Sequence, residues 1–278
     1  MNLETDKLEA MYHAALILSK RVRIASSKAD REVEKLLLEH GSFQNIFEKK
    51  DSLFPKYDLE EVKGLDKVVK VLEKVPDFRT LTVADSEFPK SLRGITPVIY
   101  CQGDVSLLNE KSIAVVGTRE PEINDELAGT KYTMNLVEEG YTIVSGLARG
   151  CDTLAHEIAI NYKGRTIAVL GEPLYRLDGR EPSELQQRIA EEHLLVSQFP
   201  VGLTTFPSHF AYRNATTVGL ASDGIVVIKA GDAGKGKTSG TLHAVRAASE
   251  QGKKIIVLPA NKQFEWTKQY EITYATIT

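Results

Sequence analysis

The sequence predicts an α/β fold, in which a doubly wound, mostly parallel sheet is preceded by a small helical domain. Two observations support this prediction. From residue 81 onward, short apolar runs of strand length alternate with segments of helical periodicity, as in parallel sheets with helical crossovers. Before residue 76, the apolar residues recur at helical spacing instead. We therefore expect a helical domain over residues 1–76 and an α/β domain over residues 81–278.

The composition is that of an ordinary globular chain of 278 residues, with 26% charged and 42% hydrophobic residues. Because the formal net charge is −3, any site for a polyanion has to be a local basic patch. Only Cys101 and Cys151 are present, so we expect no disulfide framework and a cytoplasmic location. The first twenty residues are too charged for a signal peptide, and no apolar run reaches membrane-spanning length.

The helical domain has three predicted helices, over residues 8–18, 30–40 and 59–74. A small basic cluster at residues 20–23 lies between the first two. A solvated helix end is the favoured interpretation of this cluster, and a nucleic-acid contact is the alternative. Pro76 marks the expected domain boundary.

Two consecutive strand–turn–helix units organise the α/β domain. Their turns are Gly117-Thr118-Arg119, here called turn A, and Ser145-Gly146-Leu147-Ala148-Arg149-Gly150, here called turn B. Small residues let a ligand approach the backbone, and we expect the helix after each turn to point free N–H groups at that ligand. Each turn also carries an arginine, whose planar guanidinium matches phosphate. Ligands of parallel sheets bind at the carboxyl ends of the strands, so a phosphate-bearing ligand is predicted here.

The other predicted elements continue the alternation of strand and helix. Strands are expected over residues 81–83, 98–101, 113–116, 141–144, 165–170, 194–196, 223–229 and 254–258. Helices are expected over residues 126–139, from Asp152 onward, and over residues 182–193, 211–222 and 239–251. Residues 198–210 are predicted to be irregular. The tail after Asn261 has no clear pattern, and an edge strand through Ile272, Tyr274 and Ile277 is one interpretation.

A P-loop pattern, G-x-x-x-x-G-K-[ST], occupies residues 231–238 between a predicted strand and a predicted helix. ATP hydrolysis is therefore one interpretation of this loop. Against it, several strands precede the pattern, and the strand that follows ends at Pro259 instead of the Asp that would hold magnesium. The alternative is a glycine-rich, doubly cationic loop that binds an anion.

Asp152 and His156 lie four residues apart on one predicted helix. A metal site would lack a third ligand, so we expect Asp152 to cap the helix and His156 to pack against it or pair with it. His209 has no recognisable partner in the sequence. No catalytic residue, metal ligand or cofactor is predicted.

The stretch Phe210-Ala211-Tyr212-Arg213-Asn214 places two aromatic residues beside an arginine and an asparagine. This combination suits stacking on a base next to a phosphate contact. The alternative is that Phe210 is a core residue and Arg213 forms a surface salt bridge.

Four segments taken together resemble the DNA-processing protein A (DprA/Smf) family. They are SIAVVGTR at 112–119, SGLARGCDTLAH at 145–156, TIAVLG at 166–171 and the pattern Phe210-x-x-Arg213-Asn214. The resemblance covers roughly residues 81–260. It implies an extended Rossmann-like domain that binds and protects single-stranded DNA, helps to load a RecA-type recombinase during natural transformation, forms a homodimer and has no catalytic turnover. No membrane contact and no winged-helix domain after the α/β domain are expected.

The resemblance also implies the DNA-binding residues, position by position. One phosphate-binding turn would consist of Gly117, Thr118 and Arg119, and a second of Ser145, Gly146, Ala148, Arg149 and Gly150. The pocket would be lined by Phe210, Arg213 and Asn214, with further anion contacts from Lys235, Lys237, Thr238, Ser239, Gly240 and Thr241.

A nucleotide sensor or nucleotide-processing enzyme, for instance in phage defence, is the alternative function. It would need a carboxylate near the sugar, and Asp152 and Glu172 are the candidates.

Overall fold

The computed structural model describes residues 3–49, 58–230 and 240–276. The chain divides into two compact units, each built from segments that are distant in the sequence. Unit 1 comprises Met1–Gly103, Leu170–Ser183 and Val196–Tyr212, and unit 2 comprises Asp104–Val169, Glu184–Leu195 and Arg213–Thr278. The linear boundary near Pro76 stays a prediction.

Unit 1 begins with helices α1 (Thr5–Leu18), α2 (Ser27–His40), α3 (Phe43–Glu48) and α4 (Leu65–Leu72). The single helix predicted over residues 59–74 is wrong. Gly64 adopts φ +88°, a left-handed conformation that interrupts the helix and leaves a short 3₁₀ turn before α4. Helix α3 was not predicted from the sequence, and Ser42 caps it by accepting a hydrogen bond from the Asn45 N–H.

An antiparallel strand pair completes the start of unit 1. Strand β1 (Arg79–Thr82) pairs with β2 (Val98–Gly103), with Leu81 opposite Ile99. The buried Tyr100 hydroxyl of β2 lies 2.6 Å from His13 Nδ1 of α1, which joins the strands to the first helix.

Unit 2 carries a parallel sheet in the order β5-β4-β3-β7-β8-β9. Its strands are β3 (Ser112–Val116), β4 (Thr142–Ser145), β5 (Arg165–Leu170), β7 (Ile225–Val227), β8 (Ile255–Val257) and β9 (Thr273–Tyr274). Strand β6 (Leu194–Ser197) comes between β5 and β7 in the sequence. The predicted mostly parallel α/β sheet is confirmed. The edge strand interpreted from the tail is present as β9, whereas Ile277 lies outside the described residues.

The later helices are α5 (Ile123–Glu138), α6 (Cys151–Asn161), α7 (Glu184–Glu192), α8 (Pro207–Leu220) and α9 (Gly240–Glu250). The expectation that residues 198–210 are irregular is wrong at its end, because α8 begins at Pro207. Proline is well suited to the first turn of a helix, where its missing N–H would have no partner. Phe210 therefore lies within α8. No helix in the described part of the chain is long and apolar enough to span a bilayer.

The strand order of unit 2 fixes where a ligand is expected. All five residues of β3 are buried, as expected for a central parallel strand. From β3 the chain proceeds through β4 to β5 on one side, and β7 then pairs with the other side of β3. This reversal makes the sheet doubly wound, and ligands of such sheets bind at the carboxyl ends of the strands where the order reverses.

Candidate functional site

Turn A lies at the reversal point of the sheet. It leaves the carboxyl end of β3, and its Thr118 N–H donates a hydrogen bond of 2.8 Å to the carbonyl of Lys229, just after β7. A Cβ at Gly117 would lie 2.6 Å from Cys151 Cβ, so a side chain is excluded there. Arg119 is exposed at the end of the turn. The structure thus places this cation where the fold predicts a ligand.

Turn B is joined to β3 and packed against turn A. The buried Ser145 hydroxyl donates a 2.6 Å hydrogen bond to the Val115 carbonyl. Gly150 has φ +85° and ψ −128°, and a Cβ on it would lie 2.5 Å from the Thr118 carbonyl oxygen. Only glycine satisfies both the backbone conformation and this close approach. The two turns predicted from the sequence are therefore in contact.

Two of the first three backbone N–H groups of α6 already have acceptors. The Cys151 N–H donates to the Thr118 carbonyl at 3.1 Å, and the Thr153 N–H donates to the Ala148 carbonyl at 3.0 Å. The Leu154 N–H donates to the Gly150 carbonyl. The Leu154 bond is the ordinary first hydrogen bond within the helix. The expectation that this helix offers free N–H groups is therefore wrong for Cys151 and Thr153, because carbonyls of the two turns already accept their hydrogen bonds.

The start of α5 is also closed to an anion. The Asp125 carboxylate accepts a hydrogen bond of 3.2 Å from the Glu122 N–H, and Asp125 and Glu126 place two acidic residues in the first turn. These carboxylates complement the positive end of the helix and repel an anionic ligand there. An anion at turn A would therefore have to be held by its arginine and not by the helix that follows.

Asp152 lies in the first turn of α6, directly after turn B. Its side chain is buried, and this burial raises its pKa, whereas the Arg213 guanidinium and the N–H groups of Ala148, Gly117 and Gly146 favour the ionised carboxylate. The expectation that Asp152 caps α6 is wrong, because Gly150 occupies the capping position.

His156 does not pair with Asp152 as the sequence suggested. Its Nδ1 lies 2.7 Å from the Thr166 hydroxyl, which itself donates to the Ile143 carbonyl at 2.8 Å. Burial, followed by the charge of Arg213, lowers the pKa of His156 to about 3, so the imidazole is neutral.

Arg213 is buried, with 4% of its surface exposed, so it does not form the surface salt bridge considered from the sequence. Its guanidinium lies against Gly146, where any side chain would overlap it. Burial lowers the pKa of Arg213, Asp152 opposes this effect, and the charge of Arg119 lowers the pKa further. Within the described part of the chain, its Nε has no hydrogen-bond partner. The charges of Arg119 and Arg213 therefore act on each other at the reversal point.

Three further predicted residues of unit 2 lie outside the pairing of Arg119 with Arg213: Asn214, Thr241 and Arg149. Asn214 Nδ2 donates a 2.9 Å hydrogen bond to the Gly240 carbonyl at the start of α9, and Thr241 is buried. Arg149 is exposed and forms a 2.6 Å ion pair with the exposed Glu120, which follows turn A directly. The remaining predicted contacts, together with the P-loop pattern, lie outside the described residues: Lys235, Lys237, Thr238 and Ser239.

Three sequence candidates belong to unit 1. Phe210 is 36% exposed and packs against Gly171, so it is not the core residue considered as an alternative. Glu172, a candidate for contacting a sugar, forms an ion pair with Arg176. His209 does have a partner, since its ring stacks on Phe199 with centroids 4.2 Å apart.

Lys229 is a cation that the sequence reasoning did not select. It follows β7, and its Nζ lies 3.6 Å from the buried carboxylate of Asp125 and 5.3 Å from the ring centroid of Phe264. The position of a lysine at the end of a predicted strand was the available signal. Among the described residues, no group of three acidic, histidine or cysteine side chains could hold a metal ion.

Curated proteins are similar to this chain in sequence. The chain is 33% identical to the DNA processing protein DprA of Bacillus subtilis over 188 residues, which are 66% of this chain and 61% of that protein. It is 36% identical to the protein Smf of Escherichia coli over 184 residues, 64% of this chain and 48% of that protein. The chain thus spans about half to three fifths of the length of these relatives.

Two solved structures are similar in fold. DprA from Streptococcus pneumoniae has a TM-score of 0.66 and 25% identity, covering 87% of this chain and 89% of that chain. DprA from Helicobacter pylori, described for its single-stranded DNA binding mode, has a TM-score of 0.58 and 26% identity, covering 71% and 90%. The family model for DNA recombination-mediator protein A matches residues 79–271. The chain therefore belongs to the DNA recombination-mediator protein A family.

Proposed function

We propose that this protein binds single-stranded DNA without catalysing a reaction on it, and that unit 2 holds the sugar–phosphate backbone at the carboxyl ends of β3, β4 and β7. We also propose that it acts as a homodimer and delivers the strand to a RecA-type recombinase, as the family resemblance implies. Family membership and the single-stranded DNA described for the Helicobacter pylori relative support this choice of ligand.

The pair of guanidinium groups carries the proposal. Arg119 is close enough to lower the pKa of the buried Arg213, so the fold holds two like charges together at the reversal point. Asp152 offsets part of the charge on Arg213, and the exposed Arg119 is open to a bound anion that would reduce the repulsion further. A nucleic-acid backbone supplies phosphates at regular spacing, and neutralising them releases counterions.

A polymer fits this surface better than a single nucleotide. At the start of α6, the N–H groups of Cys151 and Thr153 already have acceptors, and the buried Asp152 places a carboxyl group in the same turn. The exposed Arg119 is open to a phosphate, and the exposed Arg149 would exchange its ion pair with Glu120 for the next one. The sugar contact of a nucleotide enzyme is also disfavoured, because Glu172 is paired with Arg176.

Phe210 is the residue proposed to stack on an unpaired base. An aromatic ring that is 36% exposed offers a face to a base, and stacking of this kind favours single strands over duplexes. Lys235, Lys237, Thr238 and Ser239 remain predicted anion contacts.

Substituting Arg119 with alanine is expected to weaken oligonucleotide binding about five- to tenfold, by the same factor for unrelated sequences. Because one phosphate contact is lost, the slope of log K against log salt should become shallower by about 0.7. Fluorescence anisotropy with two labelled oligonucleotides of unrelated sequence, titrated with salt, measures both quantities.

Arg188→Ala is the matched control, because Arg188 is an exposed arginine of unit 2 that pairs with Glu192 on α7. It should leave affinity and slope unchanged. Mononucleotides added as competitors should displace the oligonucleotide poorly. Strong competition by mononucleotides, or an unchanged slope for Arg119→Ala, contradicts the proposal.

Substituting Glu120 with glutamine is expected to tighten DNA binding about two- to fivefold. The ion pair of Glu120 with Arg149 is exposed on both sides, and pairs of this kind contribute about 0.2–1 kcal/mol. Removing the carboxylate charge frees Arg149 for phosphate and removes a repulsion beside turn A. The same anisotropy assay tests this prediction, and in an Arg149→Ala background the gain should shrink.

A further inference from the structure

We propose that Phe206 is a second base-stacking residue, which together with Phe210 holds two unpaired bases of a single strand at the start of α8. This inference rests on the proposed function, which places one base on Phe210, and it adds a binding position for the neighbouring base. Phe206 was not among the site residues predicted from the sequence.

The exposure of Phe206 sets it apart from most aromatic residues of the chain. Phe206 is 56% exposed and Phe210 is 36% exposed, whereas the other phenylalanines in the described part of the chain are buried or half-buried. Single apolar residues scattered over a protein surface are normal. Two exposed aromatic rings within one helical turn form a local patch instead, and such rings present faces on which bases stack.

Phe206 is held in place by contacts within unit 1. Its N–H donates to Nδ1 of His209 at 3.5 Å, and its carbonyl accepts a 2.9 Å hydrogen bond from the His209 N–H. The two rings meet at 77° with centroids 5.3 Å apart, and the buried His209 stacks in turn on Phe199. The Phe206 ring is therefore positioned before a ligand binds, so that binding costs little side-chain entropy.

Both rings are supported on one side and open on another. A ring that meets its neighbour at 77° uses at most one face for that contact, and more than half of Phe206 remains exposed. A Cβ on Gly171 would lie 2.4 Å from Cδ1 of Phe210, so the missing side chain lets that ring rest on backbone. Each ring thus offers a base an exposed surface on a fixed support.

The spacing of the two rings suits an unstacked strand. Phe206 directly precedes α8 and Phe210 follows four residues later, so the two residues are neighbours on one side of the first turn. Four residues advance a helix by about 6 Å, whereas consecutive bases of a duplex strand are about 3.4 Å apart. The rings therefore fit neighbouring bases that are splayed apart, as they are in single strands.

Substituting Phe206 with leucine is expected to weaken binding of a single-stranded oligonucleotide about tenfold, which is within the range of one lost base–aromatic stack. Leucine keeps the apolar volume and loses the ring, so it separates stacking from a general apolar contact. Phe206→Tyr keeps the ring and should bind within about twofold of wild type. The slope of log K against log salt should stay the same for both variants, because no phosphate contact is lost.

The experiment compares an ordinary oligonucleotide with one of equal length that carries stable abasic sites, using fluorescence anisotropy at low salt. The abasic strand keeps its phosphates and has no base to stack, so Phe206→Leu should bind it as wild type does. Leu38→Ala is the matched control, because Leu38 is 54% exposed on α2 of the same unit. It should leave the affinity for both strands unchanged.

A second copy of this chain is the competing occupant of the exposed ring, and sedimentation velocity of Phe206→Ala tests it. An unchanged oligomeric state together with weaker binding supports base stacking. A lower oligomeric state assigns the ring to a contact between copies and overturns the proposal. Wild-type affinity of Phe206→Leu for the ordinary strand also overturns it. An equal loss of affinity for the ordinary and abasic strands does so too, because the ring would then act on α8 and not on a base.

Phe206→Trp covers the case in which Phe206→Leu does not fold. It adds an exposed indole to a chain whose one tryptophan, Trp266, is buried. A base stacked on the new indole quenches its fluorescence. Quenching by the ordinary strand and not by the abasic strand supports the proposal, and equal fluorescence with the two strands overturns it.

The two proposals fail in distinguishable ways. If wild type does not bind oligonucleotides, the proposed function is wrong, and the second stacking position is wrong with it. If wild type binds and Arg119→Ala weakens binding as expected while Phe206→Leu does not, the role of Phe206 alone is wrong.

Discussion

Replacing Gly150 with alanine is expected to destabilise the protein by about 3 kcal/mol or more. Gly150 adopts φ +85° and ψ −128°, a region that residues with a Cβ avoid at a cost of about 1–3 kcal/mol. The added Cβ would also lie 2.5 Å from the Thr118 oxygen and 2.7 Å from the Arg119 carbonyl carbon. Because both neighbours are backbone atoms, relief requires moving turn A, which adds about 1–3 kcal/mol.

Chemical denaturation of wild type and Gly150→Ala measures this loss, and anisotropy should show weaker DNA binding because turn A is displaced. Gly140→Ala is the control. Gly140 has a similar φ of +82°, but a Cβ there meets nothing within 4 Å, so only the backbone conformation is penalised, by about 1 kcal/mol. Equal losses in the two variants would show that turns A and B are not in close contact.

Replacing His156 with asparagine is expected to reduce the acid sensitivity of the protein. The pKa of His156 is lowered from 6.5 to about 3 by burial first, so the unfolded chain takes up the proton before the folded protein does. The stability that comes from the neutral imidazole is therefore complete above about pH 6.5 and is lost progressively as the pH falls toward 3. This contribution to the free energy of unfolding decreases by about 1 kcal/mol for each pH unit.

Asparagine is the suitable replacement because His156 uses Nδ1 as its donor. The Thr166 hydroxyl donates to Ile143, so it accepts from Nδ1, and an asparagine side chain can supply that donor. We expect the plot of unfolding free energy against pH to be shallower for His156→Asn by about 1 kcal/mol per pH unit between about pH 6 and pH 4.

Comparison with wild type isolates this contribution from other buried groups. Burial lowers the pKa of His13 to about 3 and raises that of Asp30 to about 6, and these opposing effects are present in both proteins. Parallel plots for wild type and His156→Asn would mean that His156 titrates normally in the folded protein.

The strands could be predicted from the sequence because their signals are short-range. The strand predicted over residues 165–170 matches β5 at both ends, and the strand over 113–116 differs from β3 by one residue. Apart from the exposed Arg165 at the start of β5, both segments are buried on both faces and consist mostly of apolar residues, as a central parallel strand requires. The turns that follow were predictable for a similar reason, since glycine and arginine in a strand-to-helix turn have few other uses.

Errors arose where a boundary depended on a single conformation. The break at Gly64 requires a left-handed φ that helical periodicity does not encode. The start of α8 at Pro207 was missed because the preceding proline-rich stretch made the whole region look irregular. In each case, one residue decided the boundary. The residues around Gly64 indicated a continuous helix, and those before Pro207 indicated an irregular segment.

By itself, the sequence determined the α/β class, the order of strands and helices, and the placing of an arginine in each of two turns, because these follow from local apolar patterns and turn chemistry. Only the tertiary structure decided which groups are open to a ligand. It buried Arg213 against Gly146, buried Asp152 in the first turn of α6 and gave acceptors to the N–H groups of Cys151 and Thr153. Burial and hydrogen-bond satisfaction depend on residues distant in the chain, so no local pattern could have fixed them.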